Sequence, residues 1–308
     1  MNIPPYLSEG DLVAIVSPSS FIADSSIVEG AERTLQSWGL RTVVMPHALL
    51  HVGHFAASDD DRLADLQECI NNPEVKAILC SRGGYGAMRL LHKLNFSPLK
   101  TNPKWIIGFS DITALHFAAV ANGCCSLHSP MAKALAHSHS QKSVVHAIQN
   151  TLFGTKKISY KEKPNINNRL GSACGRLIGG NLSLVYGMQG SPWDVNKIID
   201  TFGNDGAILF VEDLCEKFYH IDRMMRNLML SGALSKIKGL IVGQFTDINP
   251  DPEFGQTLEE IFLDVVKGYD IPVCFDFPVG HVGRNFPLIE GAKVQLDVCA
   301  DKVTLKGL

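Results

Sequence analysis

The sequence predicts an α/β protein of two domains, and three observations lead to that prediction. The chain has 308 residues, 45% hydrophobic and 19% charged, which is enough for two ordinary cores. Short apolar runs alternate with helical patterns in the first half, as in a parallel sheet covered by helices on both faces. A polar stretch rich in Lys and Asn interrupts this pattern at about residues 151–170. We expect a doubly wound, mostly parallel sheet in an N-terminal domain over residues 1–155 and a C-terminal α/β domain over residues 165–308.

The N-terminal domain is predicted from strands and helices that alternate along the chain. Strands are expected at residues 12–16, 41–45, 75–80, 105–109 and within the segment CCSLHSPM. Helices are expected from a capping box of Ser26 and Glu29 toward Trp38, from Ser58 and acidic residues 59–61 through Cys69, over MRLLHKL, and from Asp111 to Ala121. Ligands bind at the carboxyl ends of the strands in such sheets, so the loops that follow the strands are the places to search for function.

The C-terminal half is also α/β, with more irregular connections. Apolar runs predict strands at residues 175–178, 207–211, 239–242 and 271–275, and a closing hairpin at 293–304. Helices are expected at residues 219–230 and 258–267.

Composition excludes several classes of function. A net charge of -3 and a pI of about 6.4 supply no basic field for nucleic acid. The first residues contain neither a basic region nor an apolar core of a signal peptide, so we expect a cytoplasmic protein. Residues 112–132 lack formal charge but include His, Asn, Gly and Pro, and we expect no membrane association. The eight cysteines form no CxxC pair and are expected to be buried, reduced thiols.

A serine follows the predicted fourth strand in the motif GFSD at residues 108–111. A helical pattern begins at Asp111, so Ser110 lies on a sharp turn from strand to helix. Such a turn exposes the hydroxyl and directs the N–H of the next residue at the group that the oxygen attacks. Ser110 is therefore the candidate nucleophile. A serine that begins a helix often only caps its first turn, and this alternative stays open.

Two further strand ends carry side chains that would complete this chemistry. The strand at residues 207–211 runs into Glu212 and Asp213, and the strand at 271–275 is followed by DFPVGHVG, which contains His281. A histidine near the serine takes its proton, and a carboxylate on the far ring nitrogen fixes the tautomer. We expect His281 as the base and Glu212 as the acid, with Asp213 and Asp276 as competitors for the acid. A non-catalytic alternative stays open for each group. Glu212 and Asp213 could serve only as negative charge at the start of the next helix, and His281 could serve only as a hydrogen-bond partner of a backbone carbonyl.

The glycine-rich loop at residues 82–86 is the candidate source of an oxyanion hole. An oxyanion needs two or more donors, and one is the N–H of Asp111. Glycines let backbone N–H groups approach closely and take a positive φ, so we assign the second donor to Gly84. The alternative is a phosphate-binding turn, although RGGYG matches neither GxGxxG nor the P-loop pattern.

These motifs identify the chain as resembling the serine LD-carboxypeptidases, a family that includes muramoyltetrapeptide carboxypeptidase and the microcin C immunity peptidases. The shared segments keep their order and spacing over nearly the whole chain. They are GDLVAIVSPSS, SRGGYGAMRLL, IIGFSDITALH, LHSPM, GRLIGGNLSLV, ILFVEDLCEKFYHIDRMM, GLIVGQF and IPVCFDFPVGH.

The resemblance implies roles for particular residues. It places the nucleophile at Ser110, the acid at Glu212 and the base at His281. It places the oxyanion hole at Asp111 and the Gly83 to Gly84 region. It also implies a homodimer without a metal or an organic cofactor.

The resemblance also implies a substrate, a murein tetrapeptide. The bond cut would join the L-centre of the third residue, meso-diaminopimelate or L-Lys, to the terminal D-Ala, during cell-wall recycling in the cytoplasm. Arg82 and Gly83 are candidates for binding this small peptide, since a substrate carboxylate calls for a cation or backbone donors. Two alternatives remain. One is an immunity peptidase that hydrolyses a peptidyl-nucleotide, and the other is a non-catalytic protein whose RGGYG loop binds an anion or a small ligand.

Overall fold

The computed structural model describes residues 1–249 and 251–308, and it is built on two mixed β-sheets with α-helices. The α/β class expected from the sequence is confirmed. The chain forms two compact units. Unit 1 comprises residues 1–156 and 283–291, and unit 2 comprises residues 157–282 and 292–308. Residues Gly283–Gly291 therefore return to unit 1 from within the C-terminal half of the sequence.

The strands are β1 Leu12–Val16, β2 Arg41–Val44, β3 Val75–Cys80, β4 Trp105–Gly108, β5 Ser126–His128, β6 Ser159–Glu162, β7 Gly171–Asn181, β8 Ala207–Leu214, β9 Ile237–Thr246, β10 Val273–Cys274, β11 Leu288–Glu290, β12 Lys293–Val298 and β13 Val303–Gly307. The helices are α1 Ser26–Ser37, α2 Asp59–Asn71, α3 Thr113–Ala121, α4 Ala132–Ala136, α5 Lys142–Phe153, α6 Leu182–Gly187, α7 Val195–Thr201, α8 Phe218–Leu230 and α9 Leu258–Val265.

Unit 1 contains a sheet of six strands in the order β11-β5-β4-β3-β1-β2. All neighbouring pairs are parallel except β11 with β5, which is antiparallel. Val13, Ile15 and Trp105 pack in one core with residues of α1, α4 and α5, while the intervening Ala14 and Ile106 are buried as well. The sheet is therefore covered on both faces, as parallel sheets require.

Unit 2 contains a sheet of seven strands in the order β10-β9-β8-β7-β12-β13-β6. The first four strands are parallel, and β12, β13 and β6 add antiparallel pairs. The closing hairpin predicted at residues 293–304 is thus confirmed as β12 and β13. No helix among the described residues combines the length and apolar character that a membrane crossing would need.

Several predicted boundaries were wrong for identifiable reasons. The capping box of Ser26 and Glu29 is absent, because Ser26 is already helical and its N–H donates to Asp24 Oδ1 at 2.9 Å. The start of α2 is confirmed, since the Ser58 side chain accepts from the Asp61 N–H.

The helix expected at MRLLHKL is only a 3-10 turn at Ala87–Arg89, and side chains tie this segment to the start of α2. Strand β8 extends to Leu214, so Glu212 and Asp213 belong to the strand itself.

Candidate active site

In unit 1, the chain turns sharply from strand to helix at Ser110. Phe109 is extended, Ser110 has φ +65, and a 3-10 turn at Ser110–Ile112 leads into α3. The left-handed region costs a residue other than glycine roughly 1–3 kcal/mol, and such strain occurs mostly at functional sites. Gly108 makes the turn possible, since a Cβ there would lie 2.8 Å from Ile112 Cγ1. This is the backbone of a nucleophile elbow.

The alternative role of Ser110 as a helix cap receives no support. No side-chain capping bond is made at the start of the 3-10 turn or of α3. Ser110 is 9% exposed, so its hydroxyl lies at the edge of the buried region.

A buried histidine fixes the strand end that precedes the elbow. His116 Nε2 lies 2.8 Å from the Gly108 carbonyl oxygen, and Nδ1 lies 2.6 Å from Ser126 Oγ. A carbonyl only accepts, so Nε2 carries the proton that it donates to Gly108. Burial lowers the pKa of His116 to about 4, although the bond to Gly108 acts in the opposite direction. The ring is therefore neutral at pH 7 and supports the elbow as a structural group.

The glycine-rich loop packs directly against the elbow. A Cβ on Gly83 would lie 3.1 Å from Ser110 Cβ and 3.3 Å from Ser110 Oγ. Gly84 has φ +105, a conformation that favours glycine. Arg82, the candidate substrate-binding cation, is exposed and donates from Nη1 to the Phe21 carbonyl at 3.0 Å. The structure therefore brings Gly83 beside Ser110 and anchors Arg82 in the adjoining segment.

The side chain of Asp111 links the elbow to its neighbours. It is 1% exposed, and its Oδ2 accepts from Ser19 Oγ at 2.5 Å and from the Ala87 N–H at 2.7 Å. Burial raises the pKa of Asp111, although these hydrogen bonds and Arg62 act against the rise. Its backbone N–H is the predicted oxyanion donor, while its carboxylate ties down the far end of the glycine-rich loop.

In unit 2, Glu212 and His281 form a hydrogen-bonded pair. Glu212 lies near the end of β8 and is fully buried, and its Oε2 is 2.7 Å from His281 Nδ1. Gly280 permits this approach, because a Cβ there would lie 2.9 Å from Glu212 Oε2. An ionised carboxylate only accepts, so the pair places a proton on Nδ1 and makes Nε2 the ring nitrogen that carries the lone pair. This is the tautomer that a general base needs.

The electrostatics around His281 favour its protonated form. Burial alone lowers the pKa of His281, but the hydrogen bond to Glu212 and the charges of Glu212, Asp213 and Asp247 outweigh it and raise the pKa. The imidazolium that forms when His281 takes a proton is therefore stabilised.

The competing carboxylates point to other partners. Asp213 accepts from Asn181 Nδ2, from the Ser183 N–H and from its neighbour Leu214. Burial is the main cause that raises the pKa of Asp213 to about 6. Asp276 accepts from Asn165 Nδ2 at 2.5 Å. Of the three acids considered, Glu212 is the one bonded to His281.

Sequence reasoning missed the serines that follow β1. Ser19 and Ser20 are both buried; Ser19 bonds to Asp111, and Ser20 contacts the glycine-rich loop. The available signal was a run of three serines, Ser17, Ser19 and Ser20, within four residues of the end of a buried strand. His51 and His54 are exposed, and His54 Nε2 lies 2.9 Å from Ser20 Oγ. Within residues 1–249 and 251–308, no three His, Cys, Asp or Glu side chains group as metal ligands.

Comparison with family models identifies the class of protein. Residues 13–129 match the LD-carboxypeptidase N-terminal domain, and residues 174–296 match the LD-carboxypeptidase C-terminal domain. The chain belongs to the LD-carboxypeptidase family, Peptidase S66, and the resemblance inferred from its motifs is confirmed.

Individual relatives span nearly the same length. A Bacillus subtilis protein named "Probable murein peptide carboxypeptidase" is 33% identical over 298 residues, which cover 96% of this chain and 91% of the relative. The crystal structure of muramoyltetrapeptide carboxypeptidase from Oxalobacter formigenes matches with a TM-score of 0.83 at 29% identity, covering 96% and 98% of the two chains. The Microcin C7 self-immunity protein MccF of Escherichia coli is 25% identical over 323 residues, covering 94% and 92%. Together with the family models, these relatives identify the chain as a peptidase.

Proposed function

We propose that this peptidase is a serine carboxypeptidase that cleaves the LD bond between an L-centre and the terminal D-Ala of murein tetrapeptides. The observation that carries the serine mechanism is the strained backbone of Ser110, φ +65, beside Gly83. The relatives named as murein peptide and muramoyltetrapeptide carboxypeptidases support the substrate class.

In the proposed mechanism, Ser110 Oγ attacks the carbonyl carbon of the third residue of the peptide. His281 Nε2 takes the serine proton, and Glu212 stabilises the imidazolium through Nδ1. The mechanism requires Nε2 to come within hydrogen-bond reach of Ser110 Oγ. The 2.7 Å bond between Glu212 and His281 supports these roles, because it fixes the tautomer in advance.

The oxyanion of the tetrahedral intermediate would accept from the N–H groups of Asp111 and Gly84. Collapse of the intermediate breaks the C–N bond, and the departing D-Ala amine takes the proton from His281. Water then attacks the acyl-enzyme with the same base and releases the shortened peptide. No step requires a metal or an organic cofactor.

Arg82 is the proposed partner of a substrate carboxylate. Its Nη1 is used by the Phe21 carbonyl, and a guanidinium has five N–H donors in all, so donors remain for an anion. The third residue of the peptide is meso-diaminopimelate or L-Lys in this proposal, and the setting is cytoplasmic cell-wall recycling by a homodimer.

The test is release of free D-alanine from a sugar-free tetrapeptide. The wild type is expected to release it, and Ser110→Ala is not. Cleavage of a peptidyl-nucleotide in place of the tetrapeptide would favour an activity like that of the MccF relative. Tight retention of a ligand without turnover, unchanged in His281→Ala, would favour a binding protein and contradict the proposal.

A further inference from the structure

Ser20 is a buried residue that the proposed mechanism does not use, and it contacts the glycine-rich loop through both its backbone and its side chain. Its N–H donates to the Gly83 carbonyl at 3.3 Å, and its Oγ accepts from the Tyr85 N–H at 3.2 Å. Ser20 is 2% exposed, so little water competes for these bonds. The two bonds hold both ends of the Gly83–Gly84–Tyr85 segment.

These bonds determine which amide of the loop remains available. The peptide between Gly83 and Gly84 is trans, so its carbonyl and its N–H point in opposite directions. Because the Gly83 carbonyl is directed at Ser20, the Gly84 N–H is directed away from Ser20. The Tyr85 N–H is already used by Ser20 Oγ. The Gly84 N–H is therefore a donor that Ser20 does not use, and its direction is set by the bond between Ser20 and the Gly83 carbonyl.

Close packing transmits the position of Ser20 to the elbow. A Cβ on Gly84 would lie 2.2 Å from Ser20 Oγ, and a Cβ on Gly83 would lie 3.1 Å from Ser110 Cβ. The loop is thus packed between two serines: an added methyl group on Gly84 would clash with Ser20, and one on Gly83 would be in tight contact with Ser110. A shift of the Ser20 side chain would move the peptide that lies beside Ser110.

His54 fixes the Ser20 hydroxyl from the solvent side, with Nε2 2.9 Å from Oγ. It occupies a two-residue hairpin turn in which Val52 and Phe55 exchange both backbone hydrogen bonds. Gly53 has φ +61, as the first central position of such a turn requires. The ring also packs against Tyr85, with centroids 6.4 Å apart. A hydroxyl has one proton and two acceptor sites, so the bonds to Tyr85 and His54 together define its orientation.

We propose that Ser20, oriented by His54, is a positioning residue that aims the Gly84 N–H at the oxyanion. This inference rests on the proposed function, since it assigns a role within the same site. Ser20 touches no reacting atom, and its effect is exerted through the loop. Its loss should therefore weaken stabilisation of the transition state and leave binding of the ground state nearly intact.

The experiment measures kcat and KM for the tetrapeptide together with hydrogen exchange at the Tyr85 amide. Ser20→Ala is expected to lower kcat about 10- to 100-fold with KM within about twofold. His54→Ala is expected to lower kcat less, and His54→Gln to restore it, because the amide can still bond to Ser20 Oγ. The matched control is His51→Ala, an exposed histidine of the same segment that bonds to the Gly53 carbonyl and stacks on Phe21. Tyr85 exchange is expected to accelerate in Ser20→Ala and His54→Ala and to stay slow in His51→Ala.

Unchanged kcat and unchanged Tyr85 exchange in both variants would overturn the inference, as would a rise in KM at constant kcat. If Ser20→Ala does not fold, His54→Ala at an exposed position carries the same test. A wild type that releases no D-alanine would refute the proposed function alone. The exchange of Tyr85 would then decide whether Ser20 and His54 hold the loop, and retained protection in both variants would overturn that claim.

Discussion

Unit 1 and unit 2 position their candidate catalytic groups in different ways. In unit 1 the geometry lies in the backbone, with Ser110 at φ +65 and two glycines packed between serine side chains. In unit 2 it lies mainly in a side-chain pair, a fully buried Glu212 bonded to His281 at 2.7 Å. We therefore expect catalytic activity to be most sensitive to added atoms in unit 1 and to altered charge in unit 2.

The largest expected effects concern Ser110 of unit 1 and His281 of unit 2, which should act as one catalytic set. Ser110→Ala and His281→Ala should each lower kcat by up to about 10⁶-fold, and the double variant should be no worse than either alone, because a nucleophile and its base act together. The measurement is D-alanine release under saturating substrate. His220→Ala is the matched control, since His220 also pairs with a glutamate in unit 2, at 2.8 Å from Glu216. Multiplicative losses in the double variant would show that the two groups do not share one reaction.

The charge of Glu212 should govern both the rate and its pH dependence. Glu212→Gln should lower kcat by about 10⁴-fold, because the amide no longer enforces the tautomer of His281. In the wild type, kcat/KM should rise as His281 loses its proton, at a pH above the ordinary pKa of histidine, about 6.5, since the charges around it raise its pKa. Without the Glu212 charge, the pKa of His281 loses a main cause of its rise, so the rising limb should move to lower pH than in the wild type. If the rising limb of the kcat/KM profile stays at the same pH in Glu212→Gln, Glu212 does not stabilise the protonated form of His281.

In unit 1, a single methyl group should be enough to disturb the site. Gly83→Ala should lower kcat by about 10²-fold, because its Cβ would lie 3.1 Å from Ser110 Cβ and displace the reacting serine. The free energy of unfolding should change little, although kcat falls strongly. Gly268→Ala is the control, since nothing lies within 4 Å of a Cβ there. Full activity of Gly83→Ala would refute the view that backbone packing defines this half of the site.

The smallest effect concerns stability rather than catalysis. The folded protein holds His116 neutral with a pKa of about 4, whereas the unfolded chain protonates it near 6.5. The unfolded state therefore binds the extra proton first, and the free energy of unfolding falls as pH decreases from 6.5 to 4, by up to about 3 kcal/mol. Urea titrations at pH 7 and pH 4 should show a smaller loss in His116→Gln than in the wild type. Equal losses of unfolding free energy in the two proteins would show that His116 is not the group whose protonation destabilises the fold.

The sequence was sufficient where local chemistry determines structure. The buried runs of β1, β3 and β8 and the cap at Ser58 follow from apolar pattern and hydrogen-bonding groups, and their positions were predicted within a few residues. Ser110 and His281 stood out because unusual polar residues followed buried strands. The residues alone left Asp213 and Asp276 as competitors of Glu212, and the family resemblance implied Glu212. The structure adds the physical reason against Asp213, which is bonded to Asn181 and Ser183.

Other features depend on contacts distant in sequence and could not be predicted. The bond from Ser19 to Asp111 joins residues 92 positions apart, and nothing in the sequence around either residue indicates that the other is its partner. The segment MRLLHKL has helical composition but is held by Arg89 and Lys93 against α2. The return of residues Gly283–Gly291 to unit 1 likewise depends on the pairing of β11 with β5.

Labelling with a fluorophosphonate examines directly whether Ser110 is the proposed nucleophile and whether His281 activates it. The probe forms a covalent bond with an activated serine and does not depend on the identity of the peptide substrate. We predict one adduct per chain, located on Ser110 by mass spectrometry, formed at a much reduced rate in His281→Ala and at the normal rate in His220→Ala. Labelling of another residue would exclude Ser110 as the activated nucleophile, and an equal rate in His281→Ala would exclude His281 as its base.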